Sequence, residues 1–233
     1  MKIILRHSQP NVALGEQWYA TENNEVVAKY TGIDMEGKHT AIQRLYNGDI
    51  EYNDGTVLQI RRSYPAGIMN AFSMFKSGFD MNKFVVTISE DSTQTGQFVR
   101  EIMKRESSIG GPYFYELTYN NETFSGYELG MDPIGLFFYI YKDDEVVGFA
   151  DAVTKVINGQ AEYSIYSKTD EYKKLLILFV ILYDTMNCEN QQQIYAGCKH
   201  STWNKATSTR ITELMKKFDV HYYEDCKKMY GER

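Results

Sequence analysis

Lys104-Arg105 closes a strand-like run and opens into Ser107-Ser108-Ile109-Gly110-Gly111. Cations followed by hydroxyls and unhindered backbone amides are the chemistry of a phosphate site. Arg100, slightly upstream, adds a third cation. The pattern assigns ligand binding to Arg100, Lys104, Arg105, Ser107 and Ser108, with a plain surface loop as the other reading. The remaining basic pairs, Arg61-Arg62, Lys216-Lys217 and Lys227-Lys228, read as solvated faces. On an extended strand Cys198 and His200 would share a face, and a thiolate–imidazole pair there would be a nucleophile. The commoner arrangement is a buried, inert thiol beside a surface histidine. Cys188, Cys198, His200, His221 and Cys226 are zinc-ligand types, but only Cys198-x-His200 approaches the close ligand spacing of structural sites. The chain is therefore read as metal-free and without a cofactor.

Composition narrows the partners. The 233 residues carry a net charge of −6, whereas a generic nucleic-acid binder is basic, so nucleic acid is not expected. Contact with an anionic membrane would need a local basic patch. No Gly-rich phosphate loop, Gly-x-Ser-x-Gly or His-Glu-x-x-His is present, so no catalytic residue is assigned and the expectation is a non-enzyme. Three cysteines, all in the last quarter, suit reduced thiols in a cytoplasm. The apolar run at Ile3-Ile4-Leu5 is too short for a signal peptide, which predicts a cytoplasmic protein.

The elements that would position these residues are mostly strands. Nineteen tyrosines and four prolines favour pleated, half-buried surfaces. Asn23-Asn24, Asn47-Gly48, Asp54-Gly55, Asn120-Asn121, Asp143-Asp144 and Asn158-Gly159 are turn dipeptides tolerant of positive φ. They predict strands over 26–28, 41–46, 56–60, 83–88, 97–103, 112–119, 123–129, 135–141, 145–155 and 161–166. Gly135 to Tyr141 is apolar on both faces, so that strand should be covered twice. Residues 64–79, with Ile68, Met69, Phe72 and Phe75 at helical spacing, predict a short amphipathic plug or a lipid-facing surface. Asn23 to Ala28 echoes Asp143 to Gly148, each a turn followed by a strand.

One stretch, about 169–187, predicts a helix. Thr169 can cap it, Asp170 and Glu171 complement its dipole, and Leu175 to Leu182 is apolar all round. A helix with no polar face must be buried on every side. Its apolar run falls short of the roughly 20 residues a bilayer needs. The fold class is thus β-rich (α+β): a closed or nearly closed antiparallel β-barrel around a buried hydrophobic central helix. Residues 188–233 read as a C-terminal helical extension packed on the same domain. Its stripe of Ile211, Leu214, Met215 and Phe218 and its tail from Tyr222 could cover the barrel wall or a second subunit.

Gly126-Tyr127-Glu128-Leu129-Gly130, then Phe137-Phe138-Tyr139-Ile140-Tyr141 with its acidic turn, then Glu145-Val146-Val147-Gly148 and one more strand, lead to the buried helix. That order resembles the tubby C-terminal-like superfamily, with its phospholipid scramblases, LURP-one-related proteins and small bacterial relatives. The resemblance covers residues 83–187 and, less clearly, 1–82. It implies a barrel of usually twelve strands threaded by a hydrophobic helix, here residues 1–187. The extension after the helix departs from the family pattern. Tubby proteins bind phosphoinositides through basic residues on the barrel wall, none of which aligns to a residue here. The implied function is a non-enzymatic module recognising a phospholipid headgroup or membrane surface, peripheral to the membrane. The alternatives are an interaction protein that forms a homo-oligomer or meets a protein partner through residues 203–230, and an enzyme acting in the barrel mouth.

Overall fold

The computed structural model describes residues 1–11, 15–32, 47–62, 83–102, 113–131, 135–151, 162–187 and 214–232. The strands are β1 (Lys2–Asn11), β2 (Gly15–Glu22), β3 (Glu25–Gly32), β4 (Gly48–Tyr52), β5 (Val57–Arg62) and β6 (Lys83–Glu90). They continue as β7 (Thr93–Ile102), β8 (Tyr113–Tyr119), β9 (Glu122–Met131), β10 (Gly135–Lys142), β11 (Glu145–Asp151) and β12 (Glu162–Tyr166). Each pairs antiparallel with its neighbour in sequence, and β1 closes the barrel on β12 with Lys2 opposite Tyr166. The predicted plug at 64–79 and the strand at 41–46 lie outside the described residues.

Four hairpins share one turn chemistry. Asn23-Asn24, Asp91-Ser92, Asn120-Asn121 and Asp143-Asp144 all hold both central residues at φ between 48° and 69°. That is the two-residue turn whose twist matches the flanking strands, built here without glycine by side chains that tolerate the left-handed region. Asp91-Ser92 carried no turn expectation, so β7 begins earlier than the predicted 97. The echo between residues 23–28 and 143–148 is a shared hairpin geometry. In each, one strand gains an extra residue just past the turn, Val27 between the pairs Thr21↔Val26 and Ala20↔Ala28, and Val147 between Tyr141↔Val146 and Ile140↔Gly148. Such bulges sharpen the local twist.

Asn47-Gly48 is a correction. Gly48 is not in a turn but is the first residue of β4, paired with Gly32 and Ile60. A Cβ there would strike the Tyr30 ring, so glycine serves close approach rather than positive φ.

The helix α1 (Lys173–Asn187) starts four residues later than the predicted start at Thr169. Thr169 is too far from that start to cap it; its N–H donates to Ser167 Oγ at 3.2 Å, and Lys173 N donates to the Asp170 carbonyl across a preceding turn. Every residue from Leu175 to Asp184 is buried. Among the described residues no helix is long and apolar enough to cross a membrane. The side chains of α1 join one apolar cluster with alternate strand residues, among them Ile3, Trp18, Ile50, Ile88, Phe98 and Leu117. Phe179 meets Phe98 and Phe138 edge-on at 5.2 and 5.3 Å, and Tyr183 stacks on Phe138 at 4.0 Å.

The double cover expected for β10 is present. Phe138 and Ile140 belong to the cluster with α1, while Phe137, Tyr139 and Tyr141 join Leu214, Phe218, Tyr222 and Cys226 in a second cluster on the other face. The tail is helical as α2 (Val220–Met229), capped by Asp219, whose carboxylate accepts from Tyr222 N at 2.9 Å. It lies on the barrel wall of its own chain, over a ladder in which Tyr139, Phe149 and Tyr166 stack at 5.3 and 5.0 Å. Lys227 pins it, donating to Tyr166 Oη, Glu232 and Asp151 at 3.0, 3.0 and 3.1 Å.

Candidate functional site

The five hairpin turns of the described residues all fall at one mouth of the barrel, because an up-and-down meander returns to the same end at every second connection. The chain leaves β12 at that end, and α1 starts there. Between the start of α1 and the β4–β5 and β8–β9 hairpins lies a cleft of about 530 Å³. This is within the range of roughly 300–1,000 Å³ usual for small-molecule sites, which favour barrel mouths. Its floor is Val27, Leu175 and Ile177, and its rings are Tyr52, Tyr119 and Tyr172.

The sequence places those rings by alternation. Tyr52 continues the inward face of Ile50, and Tyr119 that of Tyr115 and Leu117, each at the last residue of its strand. Tyr52 Oη donates to the Lys174 carbonyl at 2.9 Å, tying β4 to α1. Lys174 in turn pairs with Asp54, and its ammonium lies 5.4 Å from the Tyr52 ring centre. Lys142 donates to Glu122 at 2.6 Å and sits 5.2 Å from the Tyr172 ring. Lys173 pairs with Glu22. Tyr119 Oη approaches Glu90 at 3.5 Å.

Burial pushes the Tyr52 and Tyr119 hydroxyls above the ordinary phenol range. Hydrogen bonds from Lys174 and Thr56 hold the Asp54 carboxyl down at about 2. Both phenols stay protonated and Asp54 stays charged near neutrality, so these three are poor proton carriers. Rings, fixed carboxylates and an apolar floor suit binding.

Of the ligand residues expected from sequence, Arg100 is described. It lies two residues beyond Phe98 on the same side of β7, opposite the fully buried Tyr115, and is half-buried. This turns it toward the barrel's inner face near the mouth opposite the turns. Glu128 shares that end, accepting from Tyr183 Oη at 2.9 Å and Tyr115 Oη at 3.5 Å, and the buried Asp184 accepts from Tyr163. Lys104, Arg105, Ser107 and Ser108 lie outside the described residues, as do Cys188, Cys198 and His200. Cys226 is a free, buried thiol, raised by burial to about 11, whereas the His221 side chain is 88% exposed. Among the described residues no three His, Cys, Asp or Glu side chains converge as metal ligands. The predicted apolar stripe is covered by the chain's own wall at Leu214 and Phe218.

Sequence reasoning missed the tyrosine-lined mouth. A signal was present in Tyr52-Asn53 and Tyr119-Asn120, where an inward aromatic directly precedes a turn residue. No family model, curated protein or solved structure matches this chain.

Proposed function

We propose that the chain is a non-enzymatic binding module of tubby-like fold, with α1 threading the barrel and the mouth opposite the turns recognising an anionic phospholipid headgroup at a membrane surface. The threading reading rests on contacts from around the ring. Tyr52 of β4 bonds the start of α1, Phe98 of β7 and Phe138 of β10 meet Phe179, and Leu176 lies where a side chain at Gly148 of β11 would be. A helix lying against one side of a sheet would not reach all four. An interior filled by apolar side chains leaves chemistry to the ends and the wall.

The observation that supports the lipid reading is the excess of carboxylates at the turn mouth, which leaves the other end as the one an anionic surface can approach. The turn mouth holds Glu25, Asp91, Asp143, Glu145 and Glu171 in addition to its paired carboxylates, so an anionic surface is repelled there. Arg100 lies on the inner face near the other end, which it shares with Glu128, and Lys104 and Arg105 follow it in sequence. Each basic residue near an anionic bilayer contributes about 1 kcal/mol, within a screening length of about 8 Å. Three would give weak, salt-sensitive attachment.

Co-sedimentation with vesicles, with and without anionic phospholipid at low and moderate salt, tests this. Binding should need anionic lipid, weaken with salt and fall in the Arg100→Ala, Lys104→Ala, Arg105→Ala triple variant. Absence of sedimentation at low salt refutes the lipid role. An interaction role through the outward face of α2, where Met229 is 56% exposed, then becomes the better reading.

A further inference from the structure

The turn mouth has a charge and a surface that the lipid reading does not use. Counting the lining groups with the partners they hold, the carboxylates are Glu22, Asp54, Glu90, Glu122, Asp170 and Glu171. Against them stand Lys142, Lys173, Lys174 and the amine of Met1, which lies 3.7 Å from Asp170. The start of α1 adds about half a positive charge, too little to reverse the sign. A negative cleft floored by Val27, Leu175 and Ile177 attracts a cation and accepts an apolar body.

The rings show how such a cation is held. The chain's own ammonium groups already lie over two of the three tyrosines, Lys174 over Tyr52 at 5.4 Å and Lys142 over Tyr172 at 5.2 Å. Both distances are those of cation–π contact. Among the described residues no lysine or arginine covers Tyr119, whose ring lines the same cleft. Glu90 approaches its hydroxyl, and Glu122 is its partner across the hairpin. A quaternary or alkylated ammonium suits this ring better than a further lysine, because it sheds little hydration on leaving water and brings its own apolar surface to the floor.

We infer that the turn mouth is a binding site for a small organic ammonium ion, its cationic head over Tyr119 and its apolar body on the Val27–Leu175–Ile177 floor. The site is at the opposite end from Arg100 and stands whether or not the lipid reading does.

The test compares phenyltrimethylammonium, its neutral carbon isostere tert-butylbenzene, and benzoate against the full chain, by calorimetry and by the Tyr119 ring resonances. The cation alone should bind saturably and shift those resonances, and raising salt should weaken it. Tyr119→Leu should weaken binding about tenfold, the order expected for one partly desolvated ring contact, while Tyr119→Phe, which keeps the ring, should retain it. Glu122→Gln should weaken it less. Equal binding of tert-butylbenzene would leave only an apolar cleft and overturn the inference. Preference for benzoate, or no shift at millimolar cation, would overturn it as well. Because the wild-type comparison of three probes needs no variant, a poorly folded Tyr119→Leu protein does not protect the idea.

Discussion

Gly126 gives the sharpest test of how α1 sits against the sheet. It lies on β9 with no positive φ, so alanine there meets no backbone penalty. Glycine to alanine at an unstrained position stabilises by about 0.4–1 kcal/mol, by restricting the unfolded chain. Here the new methyl would collide with the Phe138 ring and lie 2.9 Å from Phe179 Cζ. Both rings are fully buried and packed on each other, so neither can swing away without disturbing a shared cluster. Overpacking of this kind costs about 1–3 kcal/mol, which outweighs the backbone gain. The expected net result is a loss of about 1–2 kcal/mol, seen in urea unfolding as a lower midpoint with an unchanged slope. The Tm should fall by about 2–4 °C per kcal/mol for a chain of this size. Phe179→Leu makes room from the side of α1. Combined with Gly126→Ala it should show favourable coupling of about 0.5–3 kcal/mol, the range for residues in contact. A Gly126→Ala protein as stable as wild type, or zero coupling with Phe179, would refute the packing of α1 on β9.

Other perturbations follow from the same contacts. Leu178, fully buried in α1, offers no partner for an ammonium, so Leu178→Lys should cost several kcal/mol and yield unfolded protein by circular dichroism. Burial alone would raise the Glu232 carboxyl, but hydrogen bonds from Lys2, Tyr166 and Lys227 prevail and hold it at about 2. A carboxyl lowered on folding contributes stability above its unfolded value of 4.5 and loses it as pH falls toward about 2. Urea midpoints measured from pH 5 downward should therefore drop less steeply in Glu232→Gln than in wild type, and parallel curves would contradict the contact. Cys226, buried with its thiol raised to about 11, should escape alkylation at neutral pH until the chain unfolds, as read by mass spectrometry of the modified peptide. Phe218→Ala should uncover the rings of Phe137 and Tyr139 and raise binding of a hydrophobic dye, and unchanged dye binding would mean that the wall is covered some other way.

Much of this architecture is written locally. Two-residue turns need positive φ, and only a few side chains tolerate it, so Asn23-Asn24, Asn120-Asn121 and Asp143-Asp144 announce their hairpins. A helix apolar all round has no solvent face, so the burial of Leu175 to Leu182 follows from composition alone. Likewise β10, apolar on both faces, required two covers and has them. Other features depend on residues far apart in the chain. Gly48 reads as a turn residue until the Tyr30 ring is seen against it. The start of α1 lies past Thr169, after a separate turn that Lys173 N–H closes on the Asp170 carbonyl. Closure of the barrel pairs the first strand with the last, Lys2 against Tyr166, and no periodicity in either strand specifies that partner. The turn mouth is the clearest case. Tyr52, Tyr119 and Tyr172 come from two hairpins and the residues leading into α1, and only closure brings their rings to one cleft. Turn chemistry and burial are decided by a residue and its immediate neighbours. Which distant faces meet is decided by the global packing that gives every strand two partners, and that choice exists only in the folded chain.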